Sequence, residues 1–226
     1  MKKIVLFLSI IIASSAMTFT MAENKPSGGE ISLEVNFIPL SVTESPIQMD
    51  FIRGRYFLSN TMAVRVGFLF NINSDTDSDT PDPDNLNNIV KANTRIIDFG
   101  LAPGIEMHFP IGERVSPYAG AELGIWTRSS NFTQDNNFNN DKITSSGFDG
   151  FTTFGINLIA GVDVHIWKGL FLGAEFGFGF NRTTFPDFTE TVTAGGTSQT
   201  ETVVDNSSLV TFGSAARPGI RLGWTF

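Results

Sequence analysis

The chain has 226 residues, a net charge of −8 and no cysteine. It therefore carries neither a disulfide framework nor a lipid-attachment cysteine, and it lacks the basic footprint of a nucleic-acid binder. With 22 Phe, 22 Gly and 2 His, the composition is unusual for a soluble globule. Beyond the first residues no apolar run reaches the roughly 20 residues that a membrane-crossing helix needs.

Lys2 and Lys3 precede an apolar stretch from Ile4 to Ile12 broken only by Ser9, and small residues follow at Ala13, Ser14, Ser15 and Ala16. This is the pattern of a secretory signal peptide, with an apolar core too short to anchor the chain. Cleavage is expected after Ala22 or, alternatively, after Ala16. The division is a signal peptide at 1–22 and one mature unit at 23–226. Loss of two lysines and no acid takes the charge from −8 to −10 over the remaining 204 residues.

The mature sequence alternates. Ile31, Leu33, Val35 and Phe37 fall on one face of a strand whose other face carries Ser32, Glu34 and Asn36, the period of two that defines a half-buried strand. A second strand is expected from Ile47 to Phe57, and a third from Thr61 to Asn71 sets Val64, Val66, Phe68 and Phe70 against Arg65 and Gly67. In the fourth, Arg95 to Phe109, apolar Ile97, Phe99, Leu101, Ile105 and Met107 oppose Asp98, Gly100, Ala102, Gly104, Glu106 and His108. Val115–Thr127, Thr153–Ile166 and Leu170–Phe180 repeat the scheme, with Glu122, Asp163 and Glu175 on their polar faces. Val210, Phe212, Ile220, Leu222, Trp224 and Phe226 share the apolar parity of an eighth strand, opposite Arg217 and Arg221.

Connections alternate as well. Short turns fall at Leu58–Asn60, Pro110–Arg114 and Trp167–Gly169; long polar stretches fall at Pro39–Pro46, Ile72–Asn93, Arg128–Gly150 and Arg182–Ser208. Up-and-down barrels of the bacterial outer membrane combine short periplasmic turns with long extracellular loops and a lipid-facing apolar band. The pattern predicts an all-β fold, a closed eight-stranded antiparallel transmembrane barrel. In a soluble sandwich the apolar faces would point inward and the loops would have no reason to alternate in length.

The ending Ile220-Arg-Leu-Gly-Trp-Thr-Phe226 resembles the C-terminal signal by which such barrels are read by their assembly machinery, carried by Ile220, Leu222, Trp224 and Phe226. Arg55-Tyr-Phe-Leu-Ser-Asn-Thr-Met-Ala-Val-Arg65, Phe99-Gly-Leu-Ala-Pro-Gly-Ile-Glu106 and Ser116-Pro-Tyr-Ala-Gly-Ala-Glu122 resemble features of the small outer-membrane barrels of the OmpA and OmpX type. The resemblance covers most of the mature chain. It implies fold and outer-membrane location rather than one activity. No periplasmic peptidoglycan-binding domain is expected, because the last predicted strand runs to Phe226.

Arg53 and Arg55 break the parity of the second strand. An arginine facing lipid near the bilayer midplane costs roughly 2–4 kcal/mol, so a bulge near Gly54 is expected to turn both inward; snorkelling at the interface is the alternative.

The candidate site is the lumen. Glu34, Asp98, Glu106, Glu122, Asp163 and Glu175 are expected to face Arg65, Arg217 and Arg221. Eight strands leave an interior just wide enough for side chains, so a packed ion-pair network competes with a narrow ion path. Asp75, Asp77 and Asp79 in the second long loop are spaced as hard oxygen ligands for Ca²⁺ could be, but the glycine and twelfth-position glutamate of an EF-hand are missing; a solvated acidic loop is the alternative.

His108 and His165 precede short turns and point inward, which suits fillers better than a general base. Trp126, Trp167 and Trp224 are expected in aromatic girdles at the membrane interfaces.

The expected role is structural or surface-interacting, carried by the extracellular loops, without enzymatic activity, cofactor or open large pore. A charge-lined channel is the alternative, and a lipid-modifying enzyme the third class. Expected partners are outer-membrane lipid, the assembly machinery during biogenesis and an extracellular ligand or protein at the loops, with no nucleic acid. The apolar outer wall leaves oligomeric state open, because lipid and a second copy are both apolar neighbours.

Overall fold

The computed structural model describes residues 25–37, 47–79, 89–136, 140–216 and 220–226. The expected signal peptide at 1–22, Arg217 and the first long loop lie outside the described residues. In chain order the strands are β1 (Ile31–Phe37), β2 (Ile47–Ser59), β3 (Met62–Asp79), β4 (Val90–His108), β5 (Val115–Asn136), β6 (Asp141–Ser146), β7 (Phe151–Trp167), β8 (Leu170–Thr184), β9 (Phe188–Ala194), β10 (Thr197–Val203), β11 (Ser208–Ala216) and β12 (Ile220–Thr225).

All pairings are antiparallel. β1 through β5 pair in sequence, β5 pairs β7, β7 pairs β8, β8 pairs β12 and β12 returns to β1. β11 and β12 run successively along β8, Ala216 opposite Phe176 and Arg221 opposite Gly173, so together they supply the eighth wall position. The result is a closed eight-stranded up-and-down barrel. Closure leaves no edge within the wall, which lets a sheet enter lipid without unpaired backbone groups.

Burial is inverted relative to a soluble protein. Leu33, Val66, Phe68, Phe70, Ile105, Leu123, Ile125, Ile156, Leu158 and Phe176 are exposed on the outside, whereas Glu34, Arg65, Glu106, Glu122, Asp163 and Arg221 are buried within. Ile220 and Phe226 point outward and Arg221 and Thr225 inward, the alternation expected of the last strand. The parity problem in β2 is resolved inward: Arg53 and Arg55 are buried while Ile52, Tyr56 and Leu58 are exposed. The irregularity lies not at Gly54 but several residues earlier. Val35 pairs Ile52, whereas its neighbour Asn36 pairs Gln48.

Three of the four long connections contain more strand than the sequence suggested. β3 and β4 stay paired up to Asp79 and Val90, and β5 continues to Asn136. Beyond the barrel rim β5 leaves β7 and pairs β6, β6 pairs β9, and β9 forms a hairpin with β10. The upper parts of β3, β4 and β5 with β6, β9 and β10 thus make a six-stranded sheet continuing the wall. The outward face of these segments is mostly threonine, serine and asparagine, and on the other face Phe132, Ile143, Phe188 and Val192 are interspersed with acids, so neither face carries an unbroken apolar row by which membrane strands are recognised. β propensity and cross-strand pairing act on them nonetheless.

Candidate functional site

The lumen is built from one or two charged side chains on every wall position. β1 brings Glu34, β2 Arg53 and Arg55, β3 Arg65, β4 Glu106, β5 Glu122, β7 Asp163, β8 Glu175 and β12 Arg221. Arg55 donates to Asp163 and Glu34, both at 2.5 Å, and lies 3.4 Å from Glu106. Arg65 reaches Glu106 at 2.5 Å, Glu175 at 2.7 Å and Glu122 at 3.3 Å. Arg221 bridges Glu34 at 2.9 Å and Asp163 at 2.8 Å, and Arg53 pairs with Glu34 and Glu175.

Sharing is the physical point. A buried carboxylate or guanidinium is tolerated when oppositely charged hydrogen-bonding partners surround it. Here most charges have two or more, each on a different strand, so the network ties the whole wall together.

Aromatic and small residues fill what remains. At the end carrying the short turns Phe57, His108, Tyr118, His165 and Phe171 form a floor. His108 packs at a tilt between Phe57 and Tyr118 with centroids at 5.3 Å, and His165 lies 5.7 Å from Phe171. Arg55 and Arg221 lie over the Tyr118 ring, whose hydroxyl donates to Glu175 at 2.7 Å.

At the opposite end Trp126 turns into the lumen. A Cβ on Gly124 would collide with its ring and one on Gly100 would stand 2.7 Å away, while one on Gly155 would meet Asn181 Oδ1 first, at 2.1 Å, with the ring at 3.2 Å. Two strands, β4 and β5, thus give up a side chain to seat the indole, and β7 gives one up to Asn181 beside it. The expectation that Trp126 joins an interfacial girdle is corrected: its even position in β5 is the inward one, shared with Tyr118 and Glu122. Trp167 and Trp224 meet edge to face at 6.4 Å on the outside of the short-turn end.

Glu106, His108 and Ser116 form a hydrogen-bonded line. His108 Nε2 lies 3.1 Å from Glu106 and Nδ1 lies 3.1 Å from Ser116 Oγ. All three are buried. Residue 117 is proline, which offers no N–H to a developing oxyanion. The line satisfies buried polar groups.

Asp98 is separate from the main network. It accepts from Arg128 at 2.7 Å near the upper rim, where Arg128 also reaches Asp149 at 3.5 Å. The sequence reading misses Arg128 and Asp149, because it ends the strand at Thr127; the even position of Arg128 in β5 is the available signal.

Above the rim the two faces of the sheet differ. By register, the face continuing the outer wall carries Lys91, Arg95, Lys142 and a single acid, Asp135, 3.3 Å from Lys142. The face continuing the lumen side carries Asp75, Asp77, Asp79, Asp141, Glu190 and Glu201 and no lysine or arginine among the described residues. Asp75, Asp77 and Asp79 alternate along the exposed edge of β3 rather than curling into a loop, and no group of three metal-ligating side chains occurs among the described residues. An extended strand spreads such carboxylates along a line, whereas Ca²⁺ needs ligands that converge.

A family model described as the outer membrane protein beta-barrel domain matches residues 5–211. The chain belongs to that family. Among solved structures the family barrel is similar to the crystal structure of a major outer membrane protein from Thermus thermophilus. Identity is 11% and the TM-score 0.35, over 87% of this chain and 98% of that one. No curated protein matches the chain. Outer-membrane location follows from the family, so the short-turn end is periplasmic and the six-stranded sheet extracellular.

Proposed function

We propose that this outer-membrane barrel serves a structural and surface-interacting role, with the extracellular strands as its working part, no enzymatic activity and no open large pore. The observation carrying this reading is the filled lumen. The aromatic floor, the ion-pair layer touching every wall position and the Trp126 ceiling are stacked along the same axis. An eight-stranded interior has little width to spare beyond such filling. Meanwhile the chain devotes β6, β9, β10 and the upper parts of three wall strands to an ordered extracellular sheet. A ligand or protein outside the cell is the partner that such a sheet suits, as positioned loops do on other scaffolds.

The test combines conductance with loop removal. Reconstituted protein with a heat-modifiable gel mobility should be electrically silent in a planar bilayer. Joining Thr184 to Ser208 through a short turn, which removes the β9–β10 hairpin, should leave that mobility intact and abolish binding to cell-surface or matrix material. Stable, ion-selective current that changes when Glu122 or Arg221 is neutralised would overturn the closed-lumen reading in favour of a channel. A mass change in lipid incubated with the protein would overturn the non-enzymatic one.

A further inference from the structure

We infer that the lumen-side face of the extracellular sheet docks a cationic amphipathic helix supplied by a protein or peptide outside the cell. The inference rests on the surface-interacting role proposed above and names the chemistry of its partner.

The two faces of the sheet are satisfied to different degrees. On the outward face the polar side chains meet one another across strands: Thr189 with Thr202 at 3.2 Å, Thr191 with Thr200 at 2.9 Å, Thr193 with Ser198 at 2.8 Å and Asn93 with Thr76 at 2.8 Å. Lys142 has its partner there in Asp135. On the lumen-side face Asp75, Asp77 and Asp79 line one margin, and Glu190 and Glu201 stand opposite each other at the other. Among the described residues none of these five acids pairs with a lysine or arginine. Arg128, on the same side at the rim, is held by Asp98 and Asp149.

Between the margins the face is apolar. Phe132, Ile143 and Val192 sit on the neighbouring strands β5, β6 and β9, with Ile143 directly opposite Val192. Val192 is exposed, and Phe132 and Ile143 are half-buried. An apolar centre open to water marks an interaction surface. It faces the lumen side, turned away from the lipid that meets the outer wall.

Charge decides the occupant. The remaining residues of the long connections, 38–46, 80–88 and 137–139, contain no lysine or arginine, so these connections have no cation of their own to bring. A second copy in the same membrane stands beside the outer wall, away from this face. What complements the face is a segment with an apolar stripe flanked by lysine or arginine, docked as amphipathic helices dock in apolar grooves and drawn in by its charge.

Strand spacing sets the length of that segment. β9 lies four strands from β3 and β10 lies five, roughly 19 and 24 Å at about 4.8 Å per strand. A helix crossing the sheet covers that distance in roughly 13–16 residues, at about 1.5 Å per residue. Its stripe then rests on Phe132, Ile143 and Val192 while its two ends meet the two acidic margins.

The test uses the full chain in discs of zwitterionic lipid, with binding to empty discs subtracted. The probe is a fluorescent leucine/lysine helix of about 15 residues with one apolar stripe. Its controls are a scrambled peptide of the same composition and the stripe peptide with glutamate in place of lysine. Anisotropy should show the stripe peptide binding more tightly than the scrambled one, and the glutamate peptide not at all. D75N/D77N/D79N should weaken the stripe peptide roughly 30-fold, at about threefold per exposed charge, and E190Q/E201Q roughly tenfold on the same basis. I143T/V192T, which keeps charge and β-branching, should remove the preference for the stripe peptide over the scrambled one. K142Q on the outward face should leave binding unchanged. Heat-modifiable mobility reports folding of each variant independently of binding. Undiminished binding by the asparagine variant would overturn the inference, and so would equal affinity for the scrambled peptide. Failure of the broader role reads differently: removal of the β9–β10 hairpin would then leave binding to cell-surface material intact. If the hairpin is needed for that binding and the stripe peptide is still ignored, the surface role stands and the cationic partner falls.

Discussion

The lumen and the extracellular sheet are made from the same strands, yet they handle charge in opposite ways. Within the barrel, acids and arginines are mixed and share partners: Glu34 meets Arg53, Arg55 and Arg221, each from a different direction. Above the rim one face carries acids as its only charges among the described residues, with Glu190 directly opposite Glu201, while on the other Asp135 lies between Lys91 and Lys142. The difference follows from solvent. In a dry interior an uncompensated charge costs several kcal/mol, so neutralising partners are obligatory. In water, screening over about 8–10 Å makes exposed like charges tolerable, so an acid-only face can stand unpaired.

Breaking the lumen should have the largest effect. Arg55→Met leaves Asp163 and Glu34 short of a partner, and a loss of about 3–5 kcal/mol is expected, measured by urea unfolding in lipid vesicles and by loss of heat-modifiable mobility. Replacing charge partners together sharpens the comparison. Asp163→Asn combined with Arg55→Met should be less damaging than the sum of the two single changes, because each single change strands its former partner.

Gly124→Leu comes next. It collides with the Trp126 ring and should cost about 1–3 kcal/mol as an overpacked interior, with red-shifted tryptophan emission if the indole is expelled. A pronounced loss without any spectral change would place the strain in the wall instead.

His165 has buried ring nitrogens with no protein hydrogen-bond partner among the described residues, and it packs against Phe171. His165→Phe should be neutral or stabilise by about 1 kcal/mol, as removal of an unsatisfied polar group does; a large loss in the unfolding midpoint would show that the imidazole has a polar role.

The smallest effect belongs to the sheet. Glu201→Thr removes a like-charge cross-strand pair and should stabilise the β9–β10 hairpin by roughly 0.2–1 kcal/mol. Amide hydrogen exchange in that hairpin is the measurement, and slower exchange confined to it is the expected outcome. In the barrel wall the same measurement should show no change.

The barrel was legible because lipid and lumen impose opposite chemistries on alternate residues. Period two in Ile31–Phe37 or Arg95–Phe109 then states both the strand and its two faces. Eight apolar-faced segments with alternating connection lengths suffice for closure, and the interior acids were visible by parity alone. The extracellular strands were not legible as strands, since their outward face is polar and on the other face Phe132, Ile143 and Val192 are interrupted by acids. Residue type alone misleads at Trp126, whose parity already points inward.

The sequence by itself determined strand periodicity, wall orientation, the eight-strand count and which acids face the lumen, because these depend only on each residue and its near neighbours along the chain. Only tertiary structure decided which arginine serves which carboxylate, that Gly100 and Gly124 on neighbouring strands make room for Trp126, where the register slips opposite β1, and that β6, β9 and β10 extend the wall into a sheet with one acid-only face. Those features depend on register between strands far apart in the chain. Register is fixed collectively by pairing, packing and closure of the whole cylinder.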